Sequence, residues 1–319
     1  MKKKMKLFLR IIVCILAAMF LAVLFLIMYA KINVLSFIYK RDDTKPDFNV
    51  VYKSIDGIDL HFDVYYPKRQ FFTRSPVVFY FHGGSWNSGS KNLGDEDVLN
   101  GVLEYGLTVV SVEYRLTNEN TVYPAFLDDC ADAIRFVTLN AKTYGIDKDR
   151  ICVFGASAGG QISLIMSLKG SEYGSDALLE KIPVDVKCCV ALCAPSDFLN
   201  LDVYNDEEDR QHAAALLKGM FGGTSKEKYE AYKDASPVYH VYKGAPPIFL
   251  SHGTDDEIVP FEQAEIFNNA AIDEGMDIWF YPIKKANHKF KTLDGGDTDP
   301  SVEWLFDELK RFLLRNLIL

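Results

Sequence analysis

Residues 76–82 read PVVFYFH, and five more short apolar runs follow: GLTVVSVEY (106–114), RICVFG (150–155), VKCCVALC (186–193), PPIFLSHG (246–253) and MDIWFYP (276–282). Continuous apolar runs of this length, separated by amphipathic stretches, predict parallel strands buried on both faces by helices. The stretch PAFLDDCADAIRFVTLNAKTYG (124–145) is one such helix, with proline at its start and glycine at its end. Ahead of this rhythm, FNVVYKS and IDLHFDVYYP flank Ile55-Asp56-Gly57. Asp-Gly between alternating segments predicts an antiparallel hairpin leading into the sheet. Residues 196–240 break the rhythm with a polar, partly helical insertion after a strand's carboxyl end. In open α/β sheets that is the ligand-binding side, so the insertion is expected to act as a lid.

The N-terminus follows a different rule. Twenty residues from Ile11 to Ala30 carry no charge, enough for a helix spanning about 30 Å of hydrocarbon. Met28 stands where a cleavable signal would place a small residue, so an uncleaved anchor is expected, with a removed signal peptide and secretion as the alternative. Five positive charges precede the span, which orients the N-terminus to the cytoplasm and the rest of the chain outside it. The expected organisation is a basic tail, transmembrane helix and linker over residues 1–40, then a catalytic domain over residues 41–319.

Charge supports that division. The whole chain carries −9, yet residues 1–41 contain eight of the 35 Lys and Arg and no acid, leaving 27 basic against 44 acidic residues beyond them. Such an acidic body is repelled by phosphate backbones, so no nucleic-acid partner is expected. Cys130, Cys152, Cys188, Cys189 and Cys193 lack paired zinc-site spacing and, as an odd set, cannot all pair within one chain; Cys188, Cys189 and Cys193, in the apolar VKCCVALC run, read as small packing residues. No phosphate loop, dinucleotide fingerprint or metal-ligand spacing is present, and neither cofactor nor metal is expected. His61 to Asp63 alternate along the hairpin and read as surface.

Gly155-Ala156-Ser157-Ala158-Gly159 fits G-x-S-x-G between an apolar strand and the apolar-periodic GGQISLIMSL, the setting of a nucleophile elbow. A serine hydroxyl needs a base within hydrogen-bond reach, and this architecture supplies Ser, then an acid, then His in chain order. His288 follows the last apolar run and lies downstream of HGTDDEIVP, where Asp255 and Asp256 both qualify as the acid. HGGSW at 82–86 follows the strand VVFYF; Gly83 and Gly84 can offer backbone N–H donors to an oxyanion, joined by that of Ala158. Trp86 is either a substrate-pocket wall or a loop anchor. His82 organises the loop, and Glu113, Arg115 and Asp129 read as scaffold ion pairs.

Taken together, HGGSW, SVEYRL, YPAFLDDCADAIRFV, YGIDKDRICVFGASAGGQ and HGTDDEIVP resemble the α/β-hydrolase superfamily, specifically its hormone-sensitive-lipase-like esterase branch, from about residue 48 to the C-terminus. The resemblance implies an α/β-hydrolase fold and a serine carboxylester hydrolase acting on a small-molecule ester, with Ser157 as nucleophile and His288 as base. It also implies that the acid is Asp256, the fifth residue of H-G-x-x-D. Ser85 stands where many members have a third glycine, a variant similar to kynurenine formamidases, so amide hydrolysis on the same triad is the alternative. A non-catalytic scaffold with an esterase fold is a third, less favoured one.

Overall fold

In the computed structural model the described residues are 45–69, 71–93 and 97–319. Among them no helix is long and apolar enough to cross a membrane; the anchor expected over residues 11–30 lies outside them.

Strands β1 (Asp47–Ile55) and β2 (Ile58–Tyr65) form the hairpin, closing on Asp56 (φ 53°) and Gly57 (φ 76°). Two consecutive positive φ values match the right-handed twist of the flanking strands, which is why Asp-Gly suits a two-residue loop. The sheet continues through β3 (Ser75–Phe81), β4 (Thr108–Val112), β5 (Ile146–Ala156), β6 (Cys188–Leu192), β7 (Ile248–Gly253) and β8 (Ile278–Ile283). Its order is β1-β2-β4-β3-β5-β6-β7-β8; β2 runs antiparallel to both β1 and β4, and the remaining pairs are parallel. Every residue of β3, β4, β6 and β7 is buried. Helices on both faces demand that, and the uninterrupted apolar runs reflect it.

The helices are α1 (Asp97–Glu104), α2 (Ala125–Leu139), α3 (Ala158–Lys169), α4 (Glu207–Phe221), α5 (Tyr229–Ala235), α6 (Glu262–Asp273) and α7 (Val302–Leu317). Alternate residues of β3 enter separate cores: Val77, Phe79 and Phe81 pack with α2, α3 and α6, whereas Val78 and Tyr80 pack with α1 and α7. Period-two alternation thus serves two apolar layers.

The charged residues assigned to the scaffold do join it. Asp129 receives Arg115 Nε at 2.8 Å and Lys53 Nζ at 2.7 Å, and Lys53 also reaches Asp132 at 2.7 Å. These groups bind β1 and the segment after β4 to α2, and buried charges of this kind persist because they are paired. Glu113 instead lies 3.7 Å from His61. Asp63 departs from the surface reading: it is 2% exposed and pairs with Lys91 at 2.9 Å. A charged residue alternating into the sheet's covered face is buried once a lysine can neutralise it.

The insertion at 196–240 contributes α4 and α5 and none of the sheet's strands. Asp206 caps α4 by accepting from the backbone N–H of Glu208 at 2.7 Å, and Gly222 (φ 67°) ends it. Asp234 of α5 holds the insertion to the body, accepting from Lys169 at the end of α3, from Tyr123 and, at 2.9 Å, from Tyr173.

Candidate active site

β3, β5, β6, β7 and β8 run parallel, so their carboxyl ends share one edge of the sheet. His82, Ser157, Cys193, Asp256 and His288 all lie within five residues after those ends. Motifs separated by up to about 200 residues of sequence therefore converge.

Ser157 sits between β5 and α3 with φ 56° and ψ −124°, a conformation costly for a residue with a β-carbon and typical of a nucleophile elbow. The flanking glycines are dictated by contact. A β-carbon on Gly155 would lie 2.2 Å from Gly159 O, and one on Gly159 would lie 2.0 Å from Phe81 O. Gly159→Ala must therefore push α3 away from β3, and we expect a stability loss of about 1–3 kcal/mol, read by chemical denaturation.

The HGGSW residues expected to form an oxyanion loop are close to this turn. A β-carbon on Gly83 would meet Ala156 O at 3.0 Å and Ser157 Cβ at 3.5 Å, so a side chain there would push the loop back by a few tenths of an ångström. The N–H groups of Gly83 and Gly84 have no hydrogen-bond partner among the described residues. Ala158 opens α3, where the first N–H groups have no intrahelical acceptor. Gly84 O accepts from Ser88 N (2.9 Å) and Ser88 Oγ (2.8 Å), which fixes the loop. His82 is 4% exposed, stacks on Tyr114 with centroids 4.2 Å apart, and has Nδ1 2.8 Å from Gly83 O. Burial pushes its pKa down, so it is a neutral brace of the loop.

Trp86 faces the cavity and is anchored in the core. It lines the cavity beside Ser157, and its Nε1–H donates to Gln161 Oε1 at 3.0 Å within the core. Gln161 in turn donates to Ala235 O at 2.7 Å, linking oxyanion loop, α3 and insertion.

The residues expected as acid and base meet directly. His288 Nδ1–H donates to Asp256 Oδ2 at 2.7 Å. Asp255 is exposed and instead accepts from Thr254 Oγ1, so the structure separates the neighbours that the residue pattern left open. Asp256 Oδ1 accepts from Ile258 N and Val259 N, both at 2.9 Å. His252 Nε2–H adds a further contact, 3.1 Å from Asp256 Oδ2 and 2.8 Å from Val259 O. Burial opposes charge on Asp256, but the hydrogen bonds from His252 and His288 prevail and hold its carboxyl well below the usual carboxylate range. The residue pattern did not mark His252 as a contact of Asp256; its place at the head of HGTDD was the available signal.

Ser157 N donates to Leu192 O at 2.8 Å, and the next residue, Cys193, has its thiol within 4.8 Å of ligand atoms on Asp256 and His288. The serine turn and the Asp–His pair are thus neighbours across β5 and β6. No hydrogen bond joins Ser157 Oγ to His288 among the described residues. Ser157 opens onto a cavity of about 410 Å³ walled by the insertion through Phe198, Leu201, Tyr204 and Leu217. Asp197, Asp209 and Glu257 also line it, without a lysine or arginine. Burial, reinforced by Asp256 and Asp209, pushes the Tyr204 phenol up to about 12, so it presents a neutral hydroxyl. A larger hollow of about 630 Å³ between Asn118 and Lys218 holds none of the predicted site residues.

Residues 62–271, more than half of the chain, match the BD-FAE family model. The chain belongs to the BD-FAE family. Its resemblance to hormone-sensitive-lipase-like esterases is borne out by its relatives. Carboxylesterase NlhH of Mycobacterium tuberculosis is 36% identical over 217 residues, 67% of either chain. The probable carboxylic ester hydrolase LipM of the same organism is 31% identical over 196 residues, 60% of this chain and 44% of LipM. The chain spans about half the length of LipM, LipC and LipQ, the mycobacterial esterases it matches. A truncated carbohydrate esterase from gut microbiota superposes with a TM-score of 0.70 at 23% identity, covering 86% of this chain and 96% of that one, a likeness of fold. Native Thermogutta terrifontis esterase 2 gives 0.66 at 25% identity, covering 84% and 91%. The BD-FAE match includes Ser157 and Asp256 and ends before His288.

Proposed function

We propose that this BD-FAE protein is a serine carboxylester hydrolase. Ser157 Oγ attacks the ester carbonyl while His288 takes its proton and passes it to the leaving alcohol. Water then attacks the acyl-enzyme with His288 again as base. Asp256 holds the imidazole in orientation and offsets its transient positive charge. The N–H groups of Gly83, Gly84 and Ala158 receive the oxyanion. The observation that carries this reading is the 2.7 Å contact between His288 and Asp256 on the sheet edge where Ser157 turns. The relatives named as esterases support it, and the serine–imidazole contact closes when substrate enters, as such contacts do. The cavity's acidic lining favours an uncharged ester over an anionic one.

We also propose that residues 11–30 anchor the protein with residues 41–319 outside the cytoplasm, supported by the uncharged run and its basic flank. One assay addresses both readings: p-nitrophenyl esters of increasing acyl length and N-formylkynurenine, applied to membrane and soluble fractions of cells making the full chain or one lacking residues 1–40. Ester hydrolysis is expected in the membrane fraction for the full chain and in the soluble fraction for the shortened one. Faster turnover of N-formylkynurenine than of any ester moves the assignment to amides, and full-chain activity in the soluble fraction removes the anchor.

A further inference from the structure

Cys193 has no part in the hydrolytic reaction, yet its surroundings are chemically specific. Its thiol, a carboxylate oxygen of Asp256 and a ring nitrogen of His288 lie within 4.8 Å of one another, the one such group among the described residues that can hold a metal ion. The nitrogen facing the carboxylate is Nδ1, 2.7 Å from Oδ2. Cys193 is fixed in place: it follows β6 with φ 46°, unusual for a residue with a side chain, and its N–H donates to Ser251 O at 2.9 Å. The other four described cysteines are buried and belong to no such group.

We propose that Cys193, Asp256 and His288 form an inhibitory binding site for a thiophilic divalent cation, Zn²⁺ in particular; the inhibition, though not the binding, rests on the esterase reading. Thiolate, imidazole and carboxylate are zinc ligands, with bonds of about 2.3, 2.0–2.1 and 2.0–2.2 Å, and a water completes four-coordination. The sulfur donor selects zinc over magnesium or calcium, which prefer all-oxygen sites. The charges cancel, because two positive charges meet one thiolate and one carboxylate, so burial is tolerated. Tetrahedral ligation separates Asp256 from His288 by somewhat more than their present hydrogen bond. His288 is the least buried of the three ligands, and a cation enters from its side.

The protons balance. The thiol, pushed up by burial and the neighbouring Asp256, releases its proton to solvent as sulfur bonds the metal. The hydrogen bond to Asp256 places the His288 proton on Nδ1; when Nδ1 takes the metal, that proton moves to Nε2. An imidazole protonated at Nε2 cannot accept the Ser157 proton, and Asp256 no longer orients it. Zinc therefore removes the base from the reaction without touching the serine.

The test titrates the full chain with Zn²⁺. Saturable loss of ester hydrolysis is expected, with recovery on chelation, no effect of Mg²⁺ or Ca²⁺, and at least about a tenfold higher inhibitory concentration for Cys193→Ser. Equal sensitivity of the two proteins overturns the site. Co²⁺ gives a readout independent of catalysis: a thiolate-to-cobalt charge-transfer band in the near ultraviolet, present in the wild type and lost in Cys193→Ser. A folded wild type without that band overturns the site even if Cys193→Ser fails to fold. A band from a protein that hydrolyses no ester leaves the site standing and rejects the esterase reading instead.

Discussion

Ser157→Ala is expected to lower kcat by about a million-fold and to abolish labelling by a fluorophosphonate probe. The size follows from the division of labour at the site. The oxyanion donors and the cavity remain in the variant, so substrate still binds, but no atom is left to form the acyl bond. Residual rate over water comes from the oxyanion contacts alone, on the order of a thousand- to ten-thousand-fold. Ser157 holds φ 56°, and alanine has a β-carbon too, so the elbow's strain is retained and the loss reads as chemistry rather than unfolding. A variant keeping most of its activity, at unchanged thermal stability, places the nucleophile elsewhere.

Asp256→Asn is expected to lower kcat by about ten-thousand-fold. The present carboxylate accepts from His288, His252 and two backbone amides. An asparagine oriented to keep the backbone N–H bonds on its oxygen turns its amide N–H₂ toward two imidazole N–H donors. His288 then loses the acceptor that fixes its tautomer. The substitution also reports on stability. The native pKa of Asp256 is depressed, so its stabilising contribution is complete above about pH 4, the ordinary carboxylate value, and is lost as the pH falls through the depressed one. Unfolding measured at pH 7 should therefore show the full difference between wild type and variant, and that difference should shrink in strong acid. A stability difference independent of pH, together with near-normal kcat, removes Asp256 from the mechanism.

Much of the fold was legible because this sheet is covered on both faces. A strand such as β3 has no solvent side, so its apolar run is continuous and easily seen. The same reading shortened β5: its first residues include half-buried Asp147 and exposed Lys148 and Asp149, where the strand extends past the core, and apolar pattern alone starts it four residues late. The helix expected to reach Gly145 ends at Leu139, because Asn140 folds its side chain back to Phe136 O at 2.8 Å and starts a turn. At the site, chain order and strand ends identify Ser157 and His288, whereas adjacent Asp255 and Asp256 differ only in where the turn aims them. Cys193 escaped for a different reason: Asp256 and His288 reach it from the ends of other strands, and adjacency across a sheet leaves no mark in the local pattern of any one strand. His252 is only four residues from Asp256, so its contact was local and its place at the head of HGTDD was a usable signal.

The segment walling the cavity makes no strand of the sheet and is fastened to the body through Asp234, through Gln161, and through Gln263, which accepts from Ser196 N and Asp197 N at 2.7 Å each. In the proposed esterase, recognition and reaction are thereby carried by different segments of one polypeptide. Descendants of this chain can exchange the wall and acquire new tastes while the edge that cuts the bond is inherited unaltered.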